Sequence, residues 1–243
     1  MWIGVEPVRT SPSHLALAPL SADARTAVVI PALNEAVALA ELLPELLACG
    51  VGEVIVVDGG STDDTVAVAE AAGARVIVEP RRGYGQACAS GAAATDAEAV
   101  AFMDGDGSDD PAELMRVLAP VLAGRVALCL GARNPSDADA MTGPQRLGSR
   151  LVAGLVRLRY RAPVTDVPSL RAIRADTLAN LQMREMTYGW PTEMIVKVAR
   201  AGLGIEEVQV NYRSRRGGVS KVAGQLGPSL RAGVKMLAVA VRS

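Results

Sequence analysis

Ala97-Glu98-Ala99-Val100-Ala101-Phe102-Met103-Asp104-Gly105-Asp106-Gly107-Ser108-Asp109-Asp110-Pro111 decides the reading of this chain. An apolar run broken only by Glu98 leads straight into a carboxylate, a glycine and a second carboxylate. If the run is a buried strand, Asp104-Gly105-Asp106 sits at its carboxyl end, where open α/β sheets place their ligands. Two carboxylates this close suit a hard divalent cation such as Mg²⁺ or Mn²⁺, and Gly105 lets a ligand approach the backbone. Such a cation usually brings phosphates with it. The same residues also read as an acidic turn before a helix, with Asp109 or Asp110 capping and Pro111 in the first turn.

Outward from this stretch the first half alternates short β-rich runs with helical patterns. Thr26 to Ile30 reads as a strand, followed by a loop at Pro31 to Glu35 and an Ala/Leu-rich helix to Cys49. Val54 to Val57 is a second strand, followed by a polar turn from Asp58 to Asp64 and a helix to about Ala72. Arg75 to Val78 and Ala97 to Met103 are the third and fourth, with a small-residue helix from Gln86 to Ala94 between them. Val126 to Leu130 is a further strand, ending at Gly131-Ala132-Arg133. The second half reads as helix, loop, helix, a strand at Ile205 to Tyr212, a basic Gly-containing loop and a final helix. Apolar strands interleaved with helices predict an α/β fold whose mostly parallel sheet is covered on both faces. The 243 residues fit one domain over 25–243, with a nucleotide half (25–133) and an acceptor half (134–243), behind a flexible segment 1–24.

Composition narrows the function. Half the residues are hydrophobic but only 3% are aromatic, so Ala, Val and Leu must build the core. A net charge of −1 offers no basic field for nucleic acid. Cys49, Cys88 and Cys129 lack metal-site spacing and read as reduced core residues of a cytoplasmic protein. With His14 the only histidine, His-based triads and histidine metal sites are excluded. No basic n-region precedes the apolar patch at Leu15 to Leu20, and no run approaches about twenty apolar residues. Any membrane contact is therefore expected to be peripheral, at the inner face.

Three predicted strand ends carry acids: Glu35, Asp58 and the Asp104/Asp106 pair. In a doubly wound sheet these ends line one edge and converge. A carboxylate such as Asp58 can accept from a base or ribose, yet Asp58-Gly59-Gly60-Ser61 equally reads as a turn leading into helix caps. Val28 to Glu35, Val56 to Asp63 and Met103 to Asp106 together resemble the family 2 glycosyltransferases with the GT-A fold, a Rossmann-like nucleotide-diphospho-sugar transferase fold. Within that family the chain is most similar to the polyprenyl (dolichyl) phosphate mannosyl- and glucosyltransferases. Arg82-Gly83-Tyr84-Gly85-Gln86-Ala87, Gly131-Ala132-Arg133, Thr165-Asp166 with Arg171, and Ser220-Lys221 fall in that family's order.

The resemblance covers roughly residues 26–225 and implies roles for individual positions. Pro31, Leu33, Glu35, Asp58 and Gly105 would meet the nucleotide of a UDP- or GDP-hexose. Asp104 and Asp106 would handle the metal and diphosphate, and Arg213 and Lys221 would close over the donor. Arg133, Arg146, Ser149 and Arg171 would face the phosphate of a polyprenyl phosphate acceptor. Two departures stand out: Ser108 where a Gln often follows Asp-x-Asp, and Ser169-Leu170-Arg171 where Gly-Phe-Arg is usual. The family's common membrane-spanning C-terminal extension has no counterpart in this sequence.

The basic segments supply independent clues. Along 145–161, Arg146, Arg150, Arg157 and Arg161 fall in a stripe roughly 60° wide at ~100° per residue, beside Leu147, Leu151, Leu155 and Leu158. Such a helix suits phosphate contact or an anionic membrane surface, and equally reads as a solvated face. From Pro228 onward, Arg231, Lys235 and Arg242 fall within about 40° beside Leu230, Val234, Leu237 and Val241, a pattern for lipid docking or for packing on the domain. Arg213 to Lys221 is the densest positive cluster and has the composition of a loop that closes over donor phosphates. Trp190 either shapes a sugar pocket or packs the core. The resulting expectation is inverting, metal-assisted transfer of a hexose to an acceptor phosphate. That nucleophile is already ionised near neutral pH, so positioning by Arg133 and Arg146 matters more than a general base. A soluble alcohol acceptor would instead need a base, for which Asp166 and Glu193 are candidates. A sugar-1-phosphate nucleotidyltransferase lacks its Gly-rich basic signature here, and a non-catalytic nucleotide-binding module is the remaining alternative.

Overall fold

The computed structural model describes residues 17, 20, 21, 25–135 and 143–216. Most of the expected flexible N-terminal segment, Lys221 and the helix expected from Pro228 lie outside the described residues. The elements run β1 (Thr26–Ala32), α1 (Ala36–Ala48), β2 (Glu53–Asp58), α2 (Thr65–Ala71), β3 (Arg75–Val78), α3 (Tyr84–Ala93) and β4 (Ala99–Phe102). A single 3₁₀ turn (Pro111–Glu113) then leads to α4 (Leu114–Leu122), β5 (Leu128–Pro135) and α5 (Gly143–Tyr160). β6 (Arg171–Arg174), α6 (Ala175–Leu181), α7 (Trp190–Arg200) and β7 (Ile205–Tyr212) complete them.

The seven strands form one sheet in the order β3-β2-β1-β4-β6-β5-β7. Every pairing is parallel except those of β6, which runs antiparallel to both β4 and β5. Alternation along the strands splits the core in two. Ala27, Val29, Ile55, Val57, Val100 and Phe102 face one layer, with Val152, Val156, Trp190 and Met194. Val28, Ile30, Val54, Val56, Ala101 and Met103 face the other, with Leu39, Leu42, Leu43, Leu114 and Leu118. The small residues of α3 are explained by proximity: a Cβ at Gly91 would overlap the side chains of Val29 and Val57. A larger residue there would push the helix off the sheet.

The sequence reading locates β1, β2, β3, β5 and β7 and misses β6, because Arg-Ala-Ile-Arg is too short to show alternation and has a charge at each end. Its extended state comes from partners on both sides: Arg171 to Arg174 pair with Phe102 to Ala99, and Arg171 to Ile173 with Leu130 to Leu128. β4 is shorter than the run Ala97 to Met103, α3 begins at Tyr84, and β5 extends to Pro135, paired with β7 along its whole length. Two helices, α6 and α7, stand between β6 and β7 where one was expected.

Candidate active site

The register brings the acids to one edge. Ala32 pairs with Asp58, Val29 with Phe102, and the Met103 N–H donates to Val29 O at 3.2 Å. The chain leaving β4 therefore turns beside the end of β1. Gly105 permits this: a Cβ there would stand 3.1 Å from Ile30 Cγ2 and 3.5 Å from Pro31 O. Pro31 and Gly105, both expected at the nucleotide, are neighbours.

The loops after β1 and β2 are stitched into one unit. The Asn34 N–H donates to Ser61 Oγ (2.8 Å), the Thr62 N–H to Asn34 Oδ1 (2.7 Å), the Glu35 N–H to Thr65 Oγ1 (2.9 Å) and the Ala36 N–H to Asp63 Oδ2 (3.2 Å). Asn34 accepts a left-handed φ of 52° to make this join. Asp58 is buried and accepts from the N–H groups of Gly60 (3.0 Å) and Ser61 (3.1 Å) and from the Ser61 hydroxyl. The turn reading of Asp58 is thus realised in its hydrogen bonds. Leu33 stands exposed at the lip of this unit and Glu35 directly precedes α1. Asn34, Ser61, Asp63 and Thr65, which hold the loops together, carry no sequence signal beyond being polar.

Asp104 is partly exposed, while Asp106, Ser108, Asp109 and Asp110 are buried. Asp106 Oδ1 accepts from the N–H (2.9 Å) and hydroxyl (2.5 Å) of Ser108, so the residue in the usual Gln position serves the second acid. Asp110 caps the 3₁₀ turn by accepting from the Ala112 N–H at 3.2 Å. Asp109 Oδ2 accepts the Asp104 N–H at 3.2 Å, whereas Asp109 Oδ1 is buried with no aligned donor. Burial, followed by repulsion from Asp106 and Asp109, pushes the Asp104 carboxyl up to about 7. Burial pushes Asp109 up to about 6, against the nearby Ser169 hydroxyl and the Asp104 N–H. Asp109, like Asp110, was read from the sequence only as a cap.

Arginines face these acids from the basic loop and from the interior. Arg215 Nη2 reaches Asp106 Oδ2 at 2.8 Å from the basic loop, and the Arg171 charge acts on Asp104 from the interior. The loop itself is laid along the acids: the Arg213 N–H donates to Ser108 O (2.9 Å) and the Arg216 N–H to Asp106 O (3.1 Å). Arg213 pairs with Asp110 (2.5 Å) and Arg216 with Glu45 (2.6 Å). Arg215, the partner of Asp106, was not singled out in the sequence.

Among the described residues, no three or more His, Cys, Asp or Glu side chains are placed to hold a metal ion. The protein therefore offers a partial shell, Asp104 and Asp106. An oxygen-seeking ion with the remainder supplied by water and substrate phosphates fits it, as for Mg²⁺. A cation beside Asp104 would offset the repulsion among Asp104, Asp106 and Asp109.

Of the residues expected at the acceptor, the structure brings Arg133 and Ser149 together and adds Asp166. Arg133 Nε and Nη2 donate to the two oxygens of Asp166, each at 2.7 Å. Ser149 Oγ donates to Asp166 and accepts the Val167 N–H at 2.9 Å. Although burial opposes it, Arg133 holds the Asp166 carboxyl below its usual range. The Arg133 guanidinium lies 5.4 Å over the Tyr212 ring, and burial beside Asp109 and Asp106 pushes the Tyr212 hydroxyl up to about 12. The Asp109–Tyr212 backbone bridge joins this cluster to the acid loop. Arg146 is half-buried one turn before Ser149 on α5.

Arg171 is elsewhere than expected. Its side chain is fully enclosed, with the guanidinium over the rings of Phe102 (4.8 Å), Trp190 (5.1 Å) and Tyr84 (5.8 Å). It donates to Ser169 O at 2.7 Å. As a member of an interior strand it has no face open to an acceptor, so its part is that of a buried countercharge. Trp190 is likewise core, edge-on to Phe102 at 4.9 Å, so the sugar-pocket option is replaced by packing. Glu193 is buried, accepts the N–H groups of Arg184 and Glu185, and pairs with Lys197 at 2.9 Å.

Comparison with known proteins agrees with this geometry. The family model described as "Glycosyl transferase family 2" matches residues 27–178. An uncharacterized glycosyltransferase of Mycobacterium tuberculosis is 38% identical over 213 residues, covering 87% of this chain and 95% of that protein. A dolichyl-phosphate hexose transferase of Haloferax volcanii is 31% identical over 194 residues, covering 79% and 84% respectively. Among solved structures, glucosyl-3-phosphoglycerate synthase of M. tuberculosis, in complex with Mn²⁺, UDP and glucosyl-3-phosphoglycerate, superposes with a TM-score of 0.72 at 25% identity, covering 90% of this chain and 79% of that one.

Proposed function

Since the chain belongs to glycosyl transferase family 2, we propose that this glycosyltransferase moves a hexose from a nucleoside-diphosphate sugar to a polyprenyl phosphate, with inversion at the anomeric carbon. The donor and metal parts of the reading draw support from the Mn²⁺ and UDP of the similar synthase structure. The lipid part draws support from the dolichyl-phosphate hexose transferase relative. Asp104 and Asp106 would hold a divalent cation, which would supply charge neutralisation for the departing diphosphate. The unit of Pro31 to Glu35 with Asp58 to Thr65 presents a rigid edge to the nucleotide, and the basic loop brings Arg213 and Arg215 to the phosphates. Lys221, expected to join them, lies outside the described residues.

One observation carries the choice of acceptor: both acids that would serve an alcohol nucleophile as general base are already committed. Asp166 is tied to Arg133 and Ser149, and Glu193 to Lys197 and two backbone N–H groups. A phosphate nucleophile needs no base, only orientation by Arg133, Arg146 and Ser149. The test is a panel of UDP- and GDP-sugars with Mn²⁺ against a short-chain polyprenyl phosphate in detergent, read by mass spectrometry. A product heavier by one hexose is expected. A second reading, transfer to a soluble phosphorylated acid, is favoured by the likeness to glucosyl-3-phosphoglycerate synthase. Glycosylation of 3-phosphoglycerate but not of the lipid, run in parallel, establishes that reading instead.

A further inference from the structure

α5 turns a leucine face away from the protein. Ser149, Val152, Ala153 and Val156 are buried against the domain, while Leu147, Leu151 and Leu158 are 60%, 60% and 83% exposed. At ~100° per residue the three leucines fall within about 40° of one another and nearly opposite the buried face. An outward leucine stripe contributes nothing to the fold, so it needs another explanation. Arg150 and Arg157 flank it, both exposed, and residues 143–161 hold five arginines and no acid.

We infer that this face of α5 docks on an anionic lipid bilayer, with the leucines entering the headgroup–acyl boundary and the arginines meeting lipid phosphates. Charge selects this occupant. A two-fold contact between copies would set one acid-free arginine face against another. A nucleic acid would meet leucines where it needs stacking surface. A bilayer with anionic headgroups satisfies both kinds of residue at once. Arg146 and Ser149 lie on the same helix, so docking would bring the acceptor cluster near the plane of the headgroups. The inference adds to the acceptor reading without resting on it, since docking is measured with neither donor nor acceptor present.

The experiment is flotation of the full chain with phosphatidylglycerol-containing vesicles and with pure phosphatidylcholine vesicles. The wild type is compared with Leu147→Gln/Leu151→Gln/Leu158→Gln and with Arg150→Gln/Arg157→Gln. The wild type is expected to partition to the anionic vesicles, less strongly as salt is raised. Each variant should lose about tenfold or more of that partition. Thermal unfolding and light scattering, run alongside, should show an unchanged midpoint and mass, because all five positions are exposed. No vesicle binding by the wild type, equal binding to both vesicle types, or undiminished binding of the leucine variant overturns the inference. A leucine variant that falls from dimer to monomer does so too, assigning the face to a second copy. Failure here with successful polyprenyl phosphate transfer in detergent leaves the acceptor reading standing; the reverse leaves only docking.

Discussion

The donor edge and the acceptor cluster are both built from charged residues, yet one is left unbalanced and the other is closed on itself. Around Asp104 and Asp109, burial and repulsion raise two carboxyls, one oxygen has no aligned donor, and the arginine paired with Asp106 is partly exposed. Around Arg133, every charge has its partner: a bidentate carboxylate, a serine bridge and an aromatic face. The first region holds raised carboxyls whose repulsion a cation would offset; the second spends its charges on holding its own shape. Substitutions should therefore separate activity from stability at the donor edge and lose both together at the acceptor cluster.

The largest effect is expected at Asp104. Asp104→Asn keeps the shape and removes a charge, so metal-assisted transfer should fall about 10³-fold, in line with losing an electrostatic contact made to developing charge. The metal-free variant should melt no lower than wild type, and higher if repulsion dominates, because a desolvated carboxylate has gone. Transfer assays and thermal unfolding in the presence of a chelator measure the two. A large fall in melting temperature would break the comparison by showing that Asp104 holds the fold.

Arg133→Met should behave in the opposite way. It strands Asp166 in a site where both side chains are only 14% exposed, an arrangement that costs about 3 kcal/mol when one partner is removed. That corresponds to a midpoint roughly 6–12 °C lower for a domain of this size. Arg133→Met/Asp166→Leu should recover most of the loss while remaining inactive, since apolar replacement of both partners is often neutral. If the double variant stays as unstable as the single one, the cluster is not self-contained and the contrast with the donor edge weakens.

How much of this was legible in the sequence follows the same division. The apolar strands and the acids at their ends are local patterns, so β1, β2 and the Asp104/Asp106 pair could be read directly. β6 could not, because four residues with charged ends become a strand only when β4 and β5 flank them. Arg171 was misplaced for the same reason: an arginine in sequence looks like a surface cation, and only the ring cage of Tyr84, Phe102 and Trp190 makes it an interior one. The Arg133–Asp166 pair spans 33 positions and has no local signature. Both residues were singled out, but for separate tasks, as a phosphate ligand and as a candidate base. Asp109 sat within the quoted stretch and read as a cap, since the lack of an aligned donor at one oxygen is a property of burial alone.

The smallest expected effect is a dependence on pH, and it tests the raised carboxyls directly. A carboxyl whose pKa is raised by folding stabilises the protein where the proton is held and loses that contribution as pH climbs. For Asp109 and Asp104 the loss runs from about pH 4, the ordinary carboxylate value, to their folded values of about 6 and about 7. A cation needs the deprotonated acids, so binding strengthens over the same interval. Millimolar Mn²⁺ should accordingly raise the melting temperature by about 5 °C at pH 8 and by little at pH 5, the size expected for ligand well above its dissociation constant. Asp166, held low by Arg133, works with the other sign: its contribution is present above about pH 4 and is lost only on further acidification. Its window lies below the one in which Mn²⁺ acts, and it is common to samples with and without the ion, so the difference between them reports the donor edge alone. An Mn²⁺ shift of equal size at pH 5 and pH 8 would mean that folding does not raise these acids, and the two regions would then be alike.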